Sequence, residues 1–195
     1  GEINKENKDH RWIIDPIDGT LNFLNGIPHF AISIAYEEKG EIVCGLIFDP
    51  IKNEIFFAEK GSGAFFNNSR IRVTKKNKLI SSILVTGGPK FNSPRKNNIF
   101  QEYITVSNLT EANIRKFGSA ALNLSYVAAG RFDAYWEWEL NLWDIAAGII
   151  ILKEAGGFIE FMEPEAPTSF KRNVISSNSS IHEELKALLV KKNIE

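Results

Sequence analysis

Along the first half of the chain, apolar and polar residues alternate in short β-branched and aromatic runs. His29 to Glu38 (HFAISIAYEE), Glu41 to Asp49 (EIVCGLIFD) and Glu54 to Lys60 (EIFFAEK) are divided by KG and DPIKN turn sequences, which predicts consecutive antiparallel strands. Trp12 to Thr20 (WIIDPIDGT) places an apolar strand ahead of them, a glycine-rich turn and short strand ending near Val73 follow, and Ser82 to Gly87 (SILVTG) predicts another strand. The period then lengthens. From Arg95 to Leu109 an amphipathic helix is expected with Ile99, Phe100, Tyr103, Ile104 and Val106 on one side. After a strand in ANIRKF, the stretch GSAALNLSYVAAG reads as a helix capped by Ser119 and ended by Gly130. The strand FDAYWEWE, the helix WDIAAGIIILKEAGG stopped by Gly156 and Gly157, the strands FIEFM and NVISSN, and a charged helix from Ile181 to Lys192 complete the pattern. Glu163 to Arg172 reads as a loose loop. Strands dominate about residues 1–110 and alternate with helices over about 111–195, so a single domain of mixed α and β in layers is expected.

Composition narrows this picture. At 195 residues and 44% hydrophobic the chain can bury a substantial core. A single cysteine, Cys44, rules out an internal disulfide and fits a reducing cytoplasm. The formal net charge of -1, without a long basic stripe, gives no general pull toward nucleic acid or an anionic membrane, so an anionic partner must be gripped locally. Apolar runs such as AAGIIIL are too short to span a bilayer, and no signal peptide opens the chain.

The candidate chemistry sits at the end of the first strand. Asp15 closes an apolar run, Pro16 fixes φ and removes a donor, and the chain is expected to turn so that Asp18 comes round near Asp15 with the Ile17 carbonyl beside them. Two carboxylates and a carbonyl are hard oxygen donors suited to Mg²⁺, which keeps waters and phosphate oxygens as its remaining ligands. Backbone N–H groups at Gly19 and Thr20 would face the same space and favour an anion. Taken alone, DPxDG is a common turn sequence, and a plain structural turn is the better explanation of it. The EF-hand pattern is not met, since that loop needs acids at alternating positions and a distant glutamate. Asp144 changes the balance: it lies in the first turn of an otherwise apolar, buried helix, where a carboxylate needs a partner. N-capping is one explanation; together with the first pair, a third metal ligand is the better one.

These motifs resemble those of the inositol monophosphatases, Mg²⁺-dependent, lithium-inhibited phosphatases. WIIDPIDGTLNFLN is similar to the first family signature and WDIAAGIIILKEAGG to the second, about 125 residues apart, and GLIFDPIKNEIFFAEKGSGAFFN and GSAALNLSYVAAGRFDAYWE between them look like the bacterial members. The resemblance implies an α+β fold, a layered αβαβα sandwich of the inositol monophosphatase and fructose-bisphosphatase type. It implies that Asp15 bridges two metals, that the Ile17 carbonyl binds the first, that Asp18 and Asp144 bind the second, and that Thr20 orients the attacking water. The Gly19 and Thr20 amides would face the phosphate, Glu137 would accept an inositol hydroxyl, Gly118, Ser119 and Ala120 would line the substrate, and Arg115 would stand on its side. The implied mechanism is in-line attack by a metal-activated water without a phospho-enzyme. Haloacid-dehalogenase-type phosphatases place their two aspartates two residues apart, whereas here the spacing is three, which makes an aspartyl nucleophile improbable.

Family members begin roughly 60 to 80 residues earlier, a length compatible with one domain. The expectation is therefore a chain truncated at its N-terminus, without two long helices and a Glu-Glu motif whose first glutamate is a metal ligand. Gly1 and Glu2 resemble the tail of that motif, and an apolar face is expected to lie uncovered. His29 reads as a packed histidine, His10 and His182 as surface residues, and the tryptophans as core and pocket wall. Inositol 1-phosphate is the expected substrate, with a nucleotide 3'-phosphate, fructose bisphosphate or histidinol phosphate as alternatives within the superfamily. Bacterial relatives also act in antitermination, which makes RNA polymerase a candidate partner; a homodimer and an inactive remnant of a split gene are further expectations.

Overall fold

Six strands lie side by side in chain order. β1 (His10–Asp18), β2 (Ala31–Glu38), β3 (Glu41–Asp49), β4 (Glu54–Glu59), β5 (Gly63–Phe66) and β6 (Ser69–Arg70) each pair antiparallel with the next. In the β2–β3 hairpin Lys39 and Gly40 take positive φ (50° and 81°), the geometry by which a two-residue turn follows the twist of its strands. This computed structural model describes residues 9–88, 93, 96–162 and 171–190. The expectations placed on Gly1 and Glu2, and on the loop from Glu163 to Phe170, lie outside those residues.

The second sheet is mixed, in the order β10-β11-β9-β7-β8. It contains β7 (Ile83–Thr86), β8 (Asn113–Arg115), β9 (Ala134–Leu140), β10 (Phe158–Met162) and β11 (Arg172–Ser177). β7 runs parallel to both β8 and β9, and helices make the connections that parallel pairing requires: α2 (Lys96–Thr110) between β7 and β8, α3 (Ala120–Ala128) between β8 and β9. A short helix α1 (Thr20–Leu24) follows β1, and α4 (Leu142–Glu154) and α5 (His182–Val190) follow β9 and β11.

Sequence explains the layering. Every residue of α3 and the run Ile145–Leu152 of α4 is buried, as helices apolar all round must be. They form the middle layer, packed against Ile13, Ala35, Ile47 and Phe56 of the first sheet and Tyr135 and Val174 of the second in one core. On the far side of the second sheet, α2 and α5 cover a separate core around Leu84, Trp136, Trp138 and Ile175. Sheet, helix pair, sheet and helix pair are thus four of the five expected layers. The outer face of the six-stranded sheet carries Trp12 (57% exposed), Ile14 and Ile55 at its surface.

α4 packs tightly on the first sheet at Gly45 of β3, where a Cβ would stand 2.5 Å from Ile150 Cγ2 and 2.7 Å from the Ala147 carbonyl oxygen. The Ala147 backbone cannot yield as a side chain can. Gly45→Ala is therefore expected to destabilise the fold by about 2–3 kcal/mol, seen as a lower urea midpoint at unchanged m-value.

Two expectations change. Among the described side chains of α2 the buried ones are Ile99, Glu102, Val106 and Thr110, while Phe100, Tyr103 and Ile104 are exposed. Glu102 is tolerated inside because its carboxylate accepts the Trp138 indole N–H at 2.6 Å. His182 is buried rather than on the surface: its Nδ1 lies 2.9 Å from Ser177 Oγ and its Nε2 3.4 Å from a Glu160 oxygen.

Candidate active site

The first carboxylates are brought together by a defect in strand pairing. Asp15 stands opposite Ser33 and Asp18 opposite Ala31, so β1 spends one residue more than β2 over this interval. In a regular strand, residues three apart point to opposite faces; the extra residue turns Asp18 back to the inner face that Ile13 and Asp15 already share. Pro16 fits because β1 is an edge strand and the bulge needs no N–H there. The expected turn is thus a β-bulge within a continuing strand. Inside it the Ile17 N–H donates to Asp15 Oδ1 at 3.1 Å, and the Thr20 hydroxyl donates to the Ile17 carbonyl at 2.9 Å.

Gly19 makes the exit possible. It has φ +86°, and a Cβ there would lie 3.1 Å from the His29 carbonyl oxygen and 3.3 Å from that of Gly118, so only glycine combines the conformation with the close approach. α1 begins at the next residue. From it Asn22 Nδ2 donates to the carbonyls of His29 (2.8 Å) and Phe117 (2.7 Å), tying the turn after Asp18 to the one before α3.

Asp144 arrives from the other side. The Asn141 backbone N–H and side-chain amide donate to its Oδ2 at 2.7 and 3.1 Å, which fixes the start of α4. Asp144 therefore caps its helix and also joins Asp15 and Asp18: one ligand atom from each lies within 4.8 Å of the others. β9 reaches this point through a second bulge, since Glu137 to Leu140 oppose only Val174 to Arg172, with Glu139 at φ 58°.

Electrostatics at this point favour a cation. Asp18 is 7% exposed, and burial, then the charges of Asp144 and Asp15, push its carboxyl up to about 7. The Ser119 hydroxyl and the Ala121 N–H (2.9 Å) donate to Asp18 Oδ2 and work the other way. Three carboxylates so close repel one another unless protonated or bridged, and their hard oxygens match a divalent cation of the Mg²⁺ type. The donor set thus fits the metal that the sequence implies.

The carboxylates form the floor of a cleft of about 470 Å³ lined by Asp15, Ile17, Asp18, Gly19, Thr20, Gly118, Ala120, Glu137, Leu140, Asn141, Trp143 and Asp144. Ten of these or their neighbours were legible beforehand as Asp15, Ile17, Asp18, Gly19, Thr20, Gly118, Ser119, Ala120, Glu137 and Asp144. Ser119 stands just behind the wall, where it caps α3 by accepting from Leu122 N (3.2 Å) as it donates to Asp18. Arg115 is placed elsewhere: it is exposed on β8, outside the residues lining this cleft, and its guanidinium donates to the Ile114 carbonyl at 3.4 Å. His29 packs its ring on Phe117 with centroids 5.2 Å apart.

Sequence reasoning missed the support of Glu137. The Tyr135 hydroxyl donates to Glu137 Oε2 at 2.7 Å. Burial, then the Glu137 charge, holds the Tyr135 phenol well above its ordinary value, so it remains a donor. The carboxyl group lies across Gly87, where a Cβ would come within 1.9 Å of its carbon. Period 2 along β9 could have linked Tyr135 to Glu137; nothing in the sequence announces that Gly87 faces them.

Comparison with known proteins points to one family. The profile of the inositol monophosphatase family matches residues 1–194. An inositol-1-monophosphatase of Mesorhizobium japonicum is 43% identical over 185 residues, covering 95% of this chain and 69% of its own. The Nus factor SuhB of Haemophilus influenzae is 42% identical over 189 residues, covering 95% and 69%. In three dimensions, the crystal structure of the extragenic suppressor protein suhB from Bartonella henselae superposes with a TM-score of 0.88 at 47% identity, covering 97% of this chain and 73% of that one. Signatures, layers and carboxylate cluster converge with these likenesses on one conclusion: the chain belongs to the inositol monophosphatase family.

Proposed function

We propose that this phosphatase hydrolyses a small polyol phosphate of the inositol 1-phosphate class with Mg²⁺ as its cofactor. The observation that carries this reading is the gathering of Asp15, Asp18 and Asp144 at the floor of a cleft whose wall presents Glu137. Asp15, the Ile17 carbonyl, Asp18 and Asp144 would hold the metal. When bound, it supplies charge neutralisation at the phosphate and lowers the pKa of the attacking water.

The protein's own groups divide the remaining work. The Thr20 hydroxyl donates its hydrogen bond to the Ile17 carbonyl, which leaves the Oγ1 lone pairs able to accept from a water and orient it in line with phosphorus. Gly19 and Gly118, which line the cleft without side chains, would let a phosphate approach the backbone. Glu137, steadied by Tyr135, accepts a hydrogen bond from a hydroxyl of the polyol and sets its orientation. Hydrolysis forms one P–O bond from water and breaks the ester P–O bond, with a proton ending on the polyol oxygen. Relative kcat/KM for inositol 1-phosphate, fructose 1,6-bisphosphate and a nucleotide 3'-phosphate tests the substrate class; a preference for the nucleotide would reject it.

Metal binding should depend on pH. Below about 7 a proton occupies Asp18 and competes with the cation; above it the carboxylate is free to bind. The increase in Tm on adding MgCl₂ is expected to be several-fold larger at pH 8 than at pH 6. An equal increase at both would remove Asp18 from the metal site.

A further inference from the structure

The mixed sheet has a second concavity on its other side. Along β9, Tyr135 and Glu137 turn toward α3 and the cleft, whereas Trp136 and Trp138 turn toward α2 and α5. Between α2 and the β7–β9 ladder lies a cavity of about 340 Å³ bounded by Ile99, Phe100, Tyr103, Thr86, Trp136 and Lys116, with Gly88 at its edge. One thickness of sheet separates it from Glu137.

Its chemistry is selective. The walls are aromatic and aliphatic, yet two buried donors in them have no partner among the described residues: the Trp136 indole Nε1 and the Thr86 hydroxyl, on residues 0% and 2% exposed. The neighbouring indole shows what this face normally provides, since Trp138 Nε1 donates to Glu102 at 2.6 Å. Leaving a buried donor unmatched is unfavourable, so a ligand that supplies an acceptor is favoured here. Lys116 adds a cation at the edge, lying over Gly88 so closely that a Cβ there would be 2.9 Å from its Nζ. No ion pair of Lys116 occurs among the described residues.

We propose that this cavity is a second ligand site, taking a small aromatic or heteroaromatic carboxylate. The flat ring fits between Phe100, Tyr103 and Ile99, and the acid supplies acceptors for the two unmatched donors and a counter-charge for Lys116. Free inorganic phosphate does not suit the apolar walls, and a neutral ring forfeits the ammonium.

The tryptophans provide a built-in assay, because each of the four reports on a different place: Trp12 on the outer face, Trp136 on the cavity, Trp138 on its pair with Glu102, Trp143 on the cleft. Titration of ¹⁵N-labelled protein with 1-naphthoate is expected to shift the Trp136 indole N–H saturably while the Trp12, Trp138 and Trp143 signals stay in place. Lys116→Met, and separately the replacement of naphthoate by 1-naphthalenemethanol, should each weaken the effect about tenfold. Thr86→Val should weaken it less. A Trp136 signal that stays still at millimolar naphthoate overturns the proposal, as does a shift indifferent to Lys116→Met, or one appearing at Trp12 or Trp143 instead. A Trp136 signal that moves on dilution without naphthoate also overturns it, since another copy of the chain then fills the cavity.

Discussion

Asp18→Asn is expected to make the metal-free protein more stable at pH 8 while lowering phosphatase activity by about 10³-fold or more. The two effects have opposite signs because one carboxylate serves both. In the folded chain the Asp18 carboxyl is raised to about 7 from 3.8, mainly by burial. Between those values the folded state holds a proton that the unfolded state has lost, so stability falls as pH rises through this window, and by pH 8 the whole penalty is present. Three units correspond to an upper bound of about 4 kcal/mol. Asparagine keeps an oxygen for the Ser119 hydroxyl and the Ala121 N–H and turns its amide toward Asp15 and Asp144. Urea unfolding in EDTA at pH 8 should show the gain, and the same experiment near pH 4 should show little of it. Activity falls because the cation loses a charged ligand at the phosphate, and each 1.36 kcal/mol of lost transition-state stabilisation is tenfold in rate. A variant less stable than the parent at pH 8 in EDTA would mean that the buried charge is not the liability described.

Gly87→Ala should separate substrate selection from catalysis. The new methyl would fall 1.9 Å from the Glu137 carboxyl carbon and 2.0 and 2.2 Å from its oxygens. These atoms end a flexible side chain, so Glu137 swings away at little cost to the fold, and its bond from Tyr135 is broken. Stability is expected to change by less than about 1 kcal/mol. The kcat/KM for a polyol phosphate should fall about 30-fold or more, mostly through KM, whereas p-nitrophenyl phosphate, which has no hydroxyl for Glu137, should lose less than about threefold. Equal losses on both would show that Glu137 acts on the phosphate rather than on the polyol. Tyr135→Phe offers a milder version, since it removes the hydroxyl and leaves the carboxylate in place.

What could be read beforehand shared one property: it was encoded locally. Strand alternation located β2, β3 and β4 almost to the residue, and Ser119 and Gly130 marked the ends of α3 by their own chemistry. Asp15, Asp18 and Asp144 stood out because each breaks a local rule, the first two around a proline in a strand and the third in an apolar helix. What escaped notice depended on partners distant in sequence. The burial of Glu102 makes sense only once Trp138 is seen to donate to it, and His182 reads as a surface residue until Ser177 and Glu160 surround it. Gly87 has meaning only because β7 lies parallel to β9 and presents it to Glu137. The placement of Arg115 on an exposed edge strand likewise follows from sheet order, which no window of sequence contains.

The two bulges give the cleft an arithmetic. Asp15 with Asp18, and Glu137 with Leu140, are pairs an odd number of residues apart that nevertheless look the same way, because each strand is one residue longer than its partner. Parity, more than the identity of the intervening residues, is what the chain must preserve. Exchanging Ile17 for another apolar residue leaves both carboxylates facing inward, and its carbonyl stays where Thr20 finds it. Deleting one residue from the Pro16–Ile17 pair makes the interval even, lets the ladder close without a bulge, and keeps both carboxylates inward but two residues apart along a straight strand, with the carbonyl and the αL exit at Gly19 drawn out of place. At this stretch the length of the chain, more than its composition, sets the geometry of the site.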